Sequence, residues 1–285
     1  TMKKTKGIIL AGGKGTRLFP ATKVTCKQLL PVYDKPMIYY PLSILILMGI
    51  TEILIICNKE DEKDFIKLLG DGSDLGISIE YKIQAEPKGI PQAFEIGEEF
   101  IGKSNVCLIL GDNMLYGDRL TQHIKQQSKC TVFAYPVKDP ENFGVVSLNK
   151  NGSVKSIEEK PKSSKSNLAL IGLYFFDHTV CKRVKNLKPS KRGETEIIDL
   201  IKSYGDDIHV EQMGRGVAWL DTGTPEAWLK CSQFVETIEA RQGLKIGCIE
   251  EMALSKKMIN KAQLQLLINS LETNNSYKEY LQQLI

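Results

Sequence analysis

Gly7-Ile-Ile-Leu-Ala-Gly-Gly-Lys-Gly-Thr-Arg-Leu-Phe19 is the stretch on which the fold turns. The apolar run 7–10 reads as a buried strand, and a glycine-rich, doubly basic turn opens at its carboxyl end, where open α/β sheets bind ligands. Gly12, Gly13 and Gly15 let the main chain approach a ligand without a Cβ in the way, while Lys14 and Arg17 set positive charge beside exposed N–H groups. A polyphosphate is the natural guest. The loop matches neither common glycine motif. A Walker loop needs G-x-x-x-x-G-K-[ST], and the frame from Gly7 to Gly12 puts Gly13 where the lysine must stand. A dinucleotide fingerprint needs G-x-G-x-x-G, and the Gly13, Gly15 frame has Leu18 at the third glycine.

Outward from this loop, short apolar runs at 53–57, 79–83, 106–110 and 131–135 predict strands. Between them, 36–48, 60–69, 91–100 and 120–128 carry apolar residues at three- and four-residue spacing and predict helices, so a largely parallel sheet with crossover helices is the economical arrangement. Right-handed crossovers place the loops at strand carboxyl ends along one edge. The second half shifts toward strands at 145–148, 154–158 and 168–176, with an Asn151-Gly152 hairpin signal and a helix over 195–204. From Pro225 the chain reads helical, over 225–241 with Thr224 as N-cap, then 259–271 and 277–284. Leu264, Leu267, Ile268 and Leu271 form a stripe suited to the core or a subunit interface.

The chain has 285 residues and a formal net charge of +4, too mild a balance to argue for nucleic acid or a membrane surface. Seven cysteines, widely spaced and odd in number, indicate neither a disulfide framework nor a zinc knuckle. The three histidines stand apart without ligand spacing. The N-terminal Thr-Met-Lys-Lys-Thr-Lys lacks the apolar core of a signal peptide, and no apolar run reaches membrane-spanning length, so a cytoplasmic enzyme is expected.

Asp112 ends a strand run with a glycine just before it, and Asp221 sits similarly in Ala218-Trp-Leu-Asp-Thr-Gly-Thr224. Either aspartate alone reads as a cap or turn former. Beside a phosphate loop, the two read as joint ligands of Mg²⁺, which favours one or two carboxylates plus phosphate and water oxygens. Lys27 and Lys160, each near a proline, offer two further positive points for a second phosphorylated substrate.

Leu10-Ala-Gly-Gly-Lys-Gly-Thr-Arg-Leu18 with Lys27-Gln-Leu-Leu-Pro-Val-Tyr-Asp-Lys-Pro-Met-Ile-Tyr-Tyr-Pro-Leu42 resembles the sugar-phosphate nucleotidylyltransferases, most closely their glucose-1-phosphate thymidylyltransferase branch. The resemblance continues through Gly111-Asp112-Asn113, Phe143-Gly-Val-Val146, Glu158-Glu-Lys-Pro161, Gly172-Leu-Tyr-Phe175, Arg192-Gly-Glu194 and Trp219-Leu-Asp-Thr-Gly-Thr224. It implies a Rossmann-like three-layer α/β/α nucleotidyltransferase fold with a mainly parallel mixed central sheet, a sugar-binding extension and C-terminal helices. The implied organisation is a nucleotidyltransferase domain over 1–241, with nucleotide binding in about 1–135 and sugar-phosphate binding in about 136–224, then a helical segment over 242–285. The implied reaction joins dTTP and glucose 1-phosphate to give dTDP-glucose and pyrophosphate.

By matching motif, Leu10, Gly12, Gly13, Gly15 and Thr16 cradle the nucleotide, Arg17 and Lys27 neutralise the triphosphate, and Asp112 and Asp221 hold Mg²⁺. Gln84 and Gly89 read the pyrimidine edge, while Gly144, Glu159, Lys160, Tyr174 and Arg192 form the sugar-phosphate pocket. The family's usual Gly-Leu-Ala-Gln-Ala is Gly89-Ile-Pro-Gln-Ala93 here, and Ile198 replaces a frequent threonine. Tyr116, Gly117, Arg215 and the segment 244–253 resemble the lining of a regulatory dTDP-sugar site at subunit contacts in a homotetramer; a packed interface without ligand is the alternative. A uridylyltransferase using UTP and a non-catalytic nucleotide-sugar sensor stay open. A metal-dependent glycosyltransferase fits poorly, because Gly111-Asp112-Asn113-Met114 contains no Asp-x-Asp.

Overall fold

The computed structural model describes residues 4–190, 193–272 and 274–285. Its strands are β1 (Thr5–Ala11), β2 (Pro31–Val32), β3 (Lys35–Pro36), β4 (Glu52–Cys57), β5 (Ser78–Ile83), β6 (Asn105–Leu110) and β7 (Asn113–Gly117), followed by β8 (Cys130–Pro136), β9 (Gly144–Leu148), β10 (Val154–Glu159), β11 (Leu168–Phe176), β12 (Ile208–Gln212) and β13 (Val217–Asp221). Among the described residues, nine of these make one sheet in the order β10-β9-β11-β6-β1-β4-β5, with β8 against β11 and β12 against β8. Pairing is parallel through β6, β1, β4 and β5. The strand β11 joins antiparallel to β6, β8 and β9 and makes the sheet mixed.

Parallel strands covered on both faces are apolar throughout, because neither face meets water. Successive residues of β4 accordingly enter opposite cores: Ile53 and Ile55 join Leu45, Phe65 and Ile249, whereas Leu54 and Ile56 join Phe94, Val180 and Leu200. These are the two helix layers of the α/β/α arrangement. All seven cysteines are buried and free. No helix among the described residues is long and apolar enough to cross a membrane.

Helix Pro225–Gln242 starts as its sequence requires, with the Thr224 hydroxyl accepting from Ala227 N at 3.2 Å and Pro225 at the first turn. The expected helix over 120–128 is shorter, Leu120–His123. Beyond it the backbone N–H groups of Gln127 and Ser128 donate to the Thr131 hydroxyl, and Ile124 alone supplies an apolar anchor, so the segment has no face to bury. The expected helix over 91–100 divides at Gly97 into Gln92–Ile96 and Glu98–Ile101. Strand β7 and helix Ile249–Ser255 were not expected from spacing. Leu264 and Ile268 of the C-terminal stripe are fully buried within this chain, so that part of the stripe is core.

A buried ionic knot ties the β2–β3 hairpin to the helices that follow the sheet. The Lys35 ammonium, 1% exposed, donates to Glu239 at 2.7 Å and pairs with Asp34. Glu239 also accepts from the Ile246 backbone N–H at 2.9 Å, and Lys245 pairs with Asp34. Removing one member of a buried pair leaves the other desolvated and uncompensated. Glu239→Leu should therefore lower stability by about 3–5 kcal/mol. The Lys35→Met/Glu239→Leu double variant should recover much of that loss, both read from urea midpoints; equal loss in the two would remove the knot from the account of stability.

Candidate active site

The parallel register of β1 and β6 sets Leu10 opposite Leu110, so the glycine loop and Gly111-Asp112 leave the sheet side by side. The loop then turns through Gly15, whose φ of +58° is left-handed, into a tight turn over Thr16–Leu18. The Thr22 hydroxyl fixes this turn by donating to Gly15 O at 2.9 Å. Gly13, Lys14, Thr16 and Arg17 are exposed, which leaves the loop's outer face open to a ligand. Its inner face is closed: a Cβ at Gly12 would lie 2.2 Å from Gln84 Oε1. Gln84 follows β5 and donates its backbone N–H to Cys57 O at 2.8 Å, so it reaches the same sheet edge.

Lys27 is only 7% exposed, and its ammonium pairs with Asp112 Oδ2. The other carboxylate oxygen, Asp112 Oδ1, accepts from Asn113 Nδ2 at 3.1 Å, and Asn113 Oδ1 accepts from Trp219 Nε1 at 2.6 Å. Asp221 enters through the β7–β13 ribbon, where it stands opposite Asn113. The Thr222 hydroxyl closes the ribbon by donating to Asp112 O at 3.0 Å. A Cβ at Gly223 would lie 3.1 Å from Asp221 Oδ2 and 3.2 Å from an Arg17 guanidinium nitrogen. Arg17, Lys27, Asp112 and Asp221 are thus brought together. Burial, then the negative field of Asp61, pushes the neighbouring Cys26 thiol up to about 12, which removes it as a nucleophile near neutral pH.

The donor set suits a hard divalent ion. Two carboxylates stand at the ends of paired strands, and the described residues contain no cluster of three or more His, Cys, Asp or Glu able to hold a metal alone. Phosphate and water oxygens would have to complete the shell, which is the habit of Mg²⁺ rather than of Zn²⁺.

Gly89, Gly144, Glu159, Lys160 and Tyr174 line one cavity of about 310 Å³, together with Phe143, Thr195 and Ile198. This is the range of small-molecule sites. Lys160 is fixed at the exit of β10 by its backbone N–H, which donates to Phe143 O at 3.0 Å. Tyr174 is buried, and desolvation followed by the fields of Glu159 and Asp112 pushes its phenol well above its usual range, so it remains a hydrogen-bond donor. Arg192, expected here, lies outside the described residues. Gly89 has a φ of +100°, and a Cβ there would lie 2.0 Å from Thr195 O. Thr195 in turn donates its backbone N–H to Lys88 O at 3.0 Å, so the loop after β5 is stitched to the wall of the cavity.

Three polar residues at the site were not singled out in the sequence. Gln28 is 3% exposed, and its Oε1 is buried without a hydrogen-bond partner among the described residues. Its position directly after Lys27 was the available signal. Asn113 and Thr195 act through contacts across the fold that no local pattern reveals. Tyr116, Gly117 and Arg215 lie away from these groups, near the opposite end of the β7–β13 ribbon, where Val217 stands opposite Gly117. The Tyr116 hydroxyl donates to Gln242 at 3.2 Å, and Arg215 is exposed.

Comparison with known proteins shows the family. Residues 6–238 match the model of the nucleotidyl transferase family. A glucose-1-phosphate thymidylyltransferase of Neisseria meningitidis is 53% identical over 98% of this chain and 99% of its own. A Bacillus anthracis chain crystallised with sucrose superposes with a TM-score of 0.74 at 40% identity, over 81% of this chain and 94% of that one. A UDP-glucose pyrophosphorylase solved with UDP-glucose gives a TM-score of 0.72 at 22% identity, over 83% and 100%, a likeness of fold. With a glycine loop, a lysine–aspartate pair and a second aspartate on one sheet edge, the chain belongs to the nucleotidyl transferase family and, within it, to the glucose-1-phosphate thymidylyltransferases.

Proposed function

We propose that the chain transfers a thymidylyl group from dTTP to glucose 1-phosphate, releasing pyrophosphate and forming dTDP-glucose. The observation that carries this reading is the junction of two half-sites. The phosphate loop with Arg17, Lys27 and Asp112 lies on one side, and the cavity of Glu159, Lys160 and Tyr174 on the other, joined through Gly89 and Thr195.

The sugar phosphate needs no general base, because a phosphate monoester with a second pKa of about 6 is already an anionic nucleophile near neutrality. The difficulty is bringing two anions together, so the chain's work is positioning and charge stabilisation. In this reading Gly12, Gly13 and Gly15 present the loop backbone to the triphosphate, Arg17 and Lys27 offset its charge as pyrophosphate departs, and Lys160 grips the sugar phosphate. Asp112 and Asp221 would hold Mg²⁺, which when bound neutralises phosphate oxygens. Gln28, with its unpartnered acceptor, is a further candidate contact for the nucleotide. Residues of about 1–135 serve the nucleotide and those of about 136–224 the sugar.

Pyrophosphate release with dTTP, UTP, CTP and ATP against glucose, galactose, glucosamine and mannose 1-phosphates tests the activity. The expected maximum is dTTP with glucose 1-phosphate; a maximum with UTP would instead support the uridylyltransferase, and no turnover with any pair would support a sensor. Asp112→Asn and Asp221→Asn should each lower kcat by about 10²-fold or more while keeping the fold, because each removes charge rather than core volume. Chelation by EDTA should stop the wild type and added Mg²⁺ restore it, and unchanged turnover under either treatment would contradict the metal assignment. For the exposed end of the β7–β13 ribbon we propose a dTDP-sugar effector site between copies in a homotetramer. Initial rates should fall as dTDP-rhamnose is raised to millimolar levels, and flat rates would leave a packed interface only.

A further inference from the structure

We infer that Gln92 is a positioning residue for base selection: it locks the side-chain amide of Gln84 in the one orientation that reads a keto pyrimidine. The inference rests on the nucleotidyl-transfer reading above and adds a group that does not itself touch the nucleotide.

The lock follows from donor and acceptor parity. A backbone N–H can only donate, and that of Lys88 points at Gln92 Oε1 at 3.0 Å. The atom of Gln92 facing Lys88 is therefore fixed as its oxygen. The same oxygen lies 2.7 Å from the Gln84 amide, so the Gln84 atom facing it must be the donor, Nε2. Reversing Gln84 would set two acceptors 2.7 Å apart, and reversing Gln92 would set its amide against the Lys88 N–H, donor against donor. Either flip loses a hydrogen bond and adds a repulsion. The main chain at Lys88 thus determines, through Gln92, what Gln84 presents.

What it presents is Oε1, which lies against Gly12 and makes no hydrogen bond among the described residues, together with the second hydrogen of Nε2. Gln84 is only 6% exposed and its backbone is anchored to Cys57, so the amide is held in place as well as in orientation. An acceptor beside a donor complements the imide edge of thymine or uracil, whose N3–H donates and whose neighbouring carbonyl accepts. Cytosine carries the reverse pair, an N3 acceptor beside an amino donor. It can satisfy the same locked amide only by sliding one ring position along it, which carries the ribose and α-phosphate away from the glycine loop. A freely rotating Gln84 would reverse and accept cytosine without that shift.

The test compares kcat/KM for dTTP and dCTP with glucose 1-phosphate, because a merely structural loss lowers both and leaves their ratio alone. Gln92→Leu should reduce the dTTP preference by about five- to tenfold, the factor set by one net hydrogen bond. Gln92→Met, close to Gln in length, should do the same and serves where Gln92→Leu does not fold. Gln92→Glu should keep the wild-type ratio within about twofold, since a carboxylate accepts from both Lys88 and Gln84. An unchanged ratio in Gln92→Met, or loss of the ratio in Gln92→Glu, overturns the lock alone. Absence of turnover by the wild type with every nucleotide overturns the activity on which it rests.

Discussion

The in-register parallel pairing of β1 with β6 is the constraint from which the site follows. Once Leu10 and Leu110 are partners, the chain leaves both strands at one level, and the Gly111 N–H extends the pairing by donating to Leu10 O at 2.9 Å. A glycine fits closely there, because a Cβ at position 111 would lie 3.0 Å from Leu10 O and from the Gln28 side chain. Asp112 is thereby delivered beside the glycine loop. The pairing of β4 with β1 on the other side brings Cys57 level with Ala11, and through it Gln84 to the same edge. Three segments scattered over a hundred residues meet because a parallel sheet puts every strand's carboxyl end along one rim.

The second cavity depends on a change of direction. Strand β11 runs antiparallel to β6, with Tyr174 opposite Leu108, so the same sheet that carries the glycine loop also supplies a wall of the second cavity. Tyr174 is buried for that reason, and its burial keeps the phenol protonated while Glu159 lies nearby. The other wall comes from the entry to helix Ile197–Lys202, which Thr195 fastens to Lys88. Neither half-site can shift far without breaking that seam.

Much of this was legible in the sequence because strands buried on both faces must be apolar without interruption. The runs at 53–57 and 106–110 therefore marked β4 and β6 to within a residue. Residues 113–117 gave no such signal: β7 begins with an asparagine, is short, and finds its partner β13 a hundred residues later. Helix Ile249–Ser255 is a single short element whose apolar residues rest on helix Tyr39–Leu47, too brief for its period to stand out. At the site, charge-bearing residues in motifs were legible, as with Lys27 and Asp112. Asn113 and Thr195 were not, since their parts are defined by hydrogen bonds to distant segments, and Gln92 was not, since its bonds to Gln84 and Lys88 depend on how the loop after β5 folds.

The same contrast explains Gly223. In the sequence it is one small residue in Leu-Asp-Thr-Gly-Thr with nothing to single it out. In the fold its missing side chain leaves room for the Arg17 guanidinium beside the Asp221 carboxylate, each within 3.2 Å of where a Cβ would project. Arg17 and Asp221 are both exposed, so the two groups face solvent at the same point of the rim. The guanidinium keeps free donors in a planar fork suited to phosphate oxygens. Lys27 differs: desolvated and paired with Asp112, it is a fixed point charge at the floor of the site. The rim thus carries two cations of different kind, one buried and paired and the other exposed.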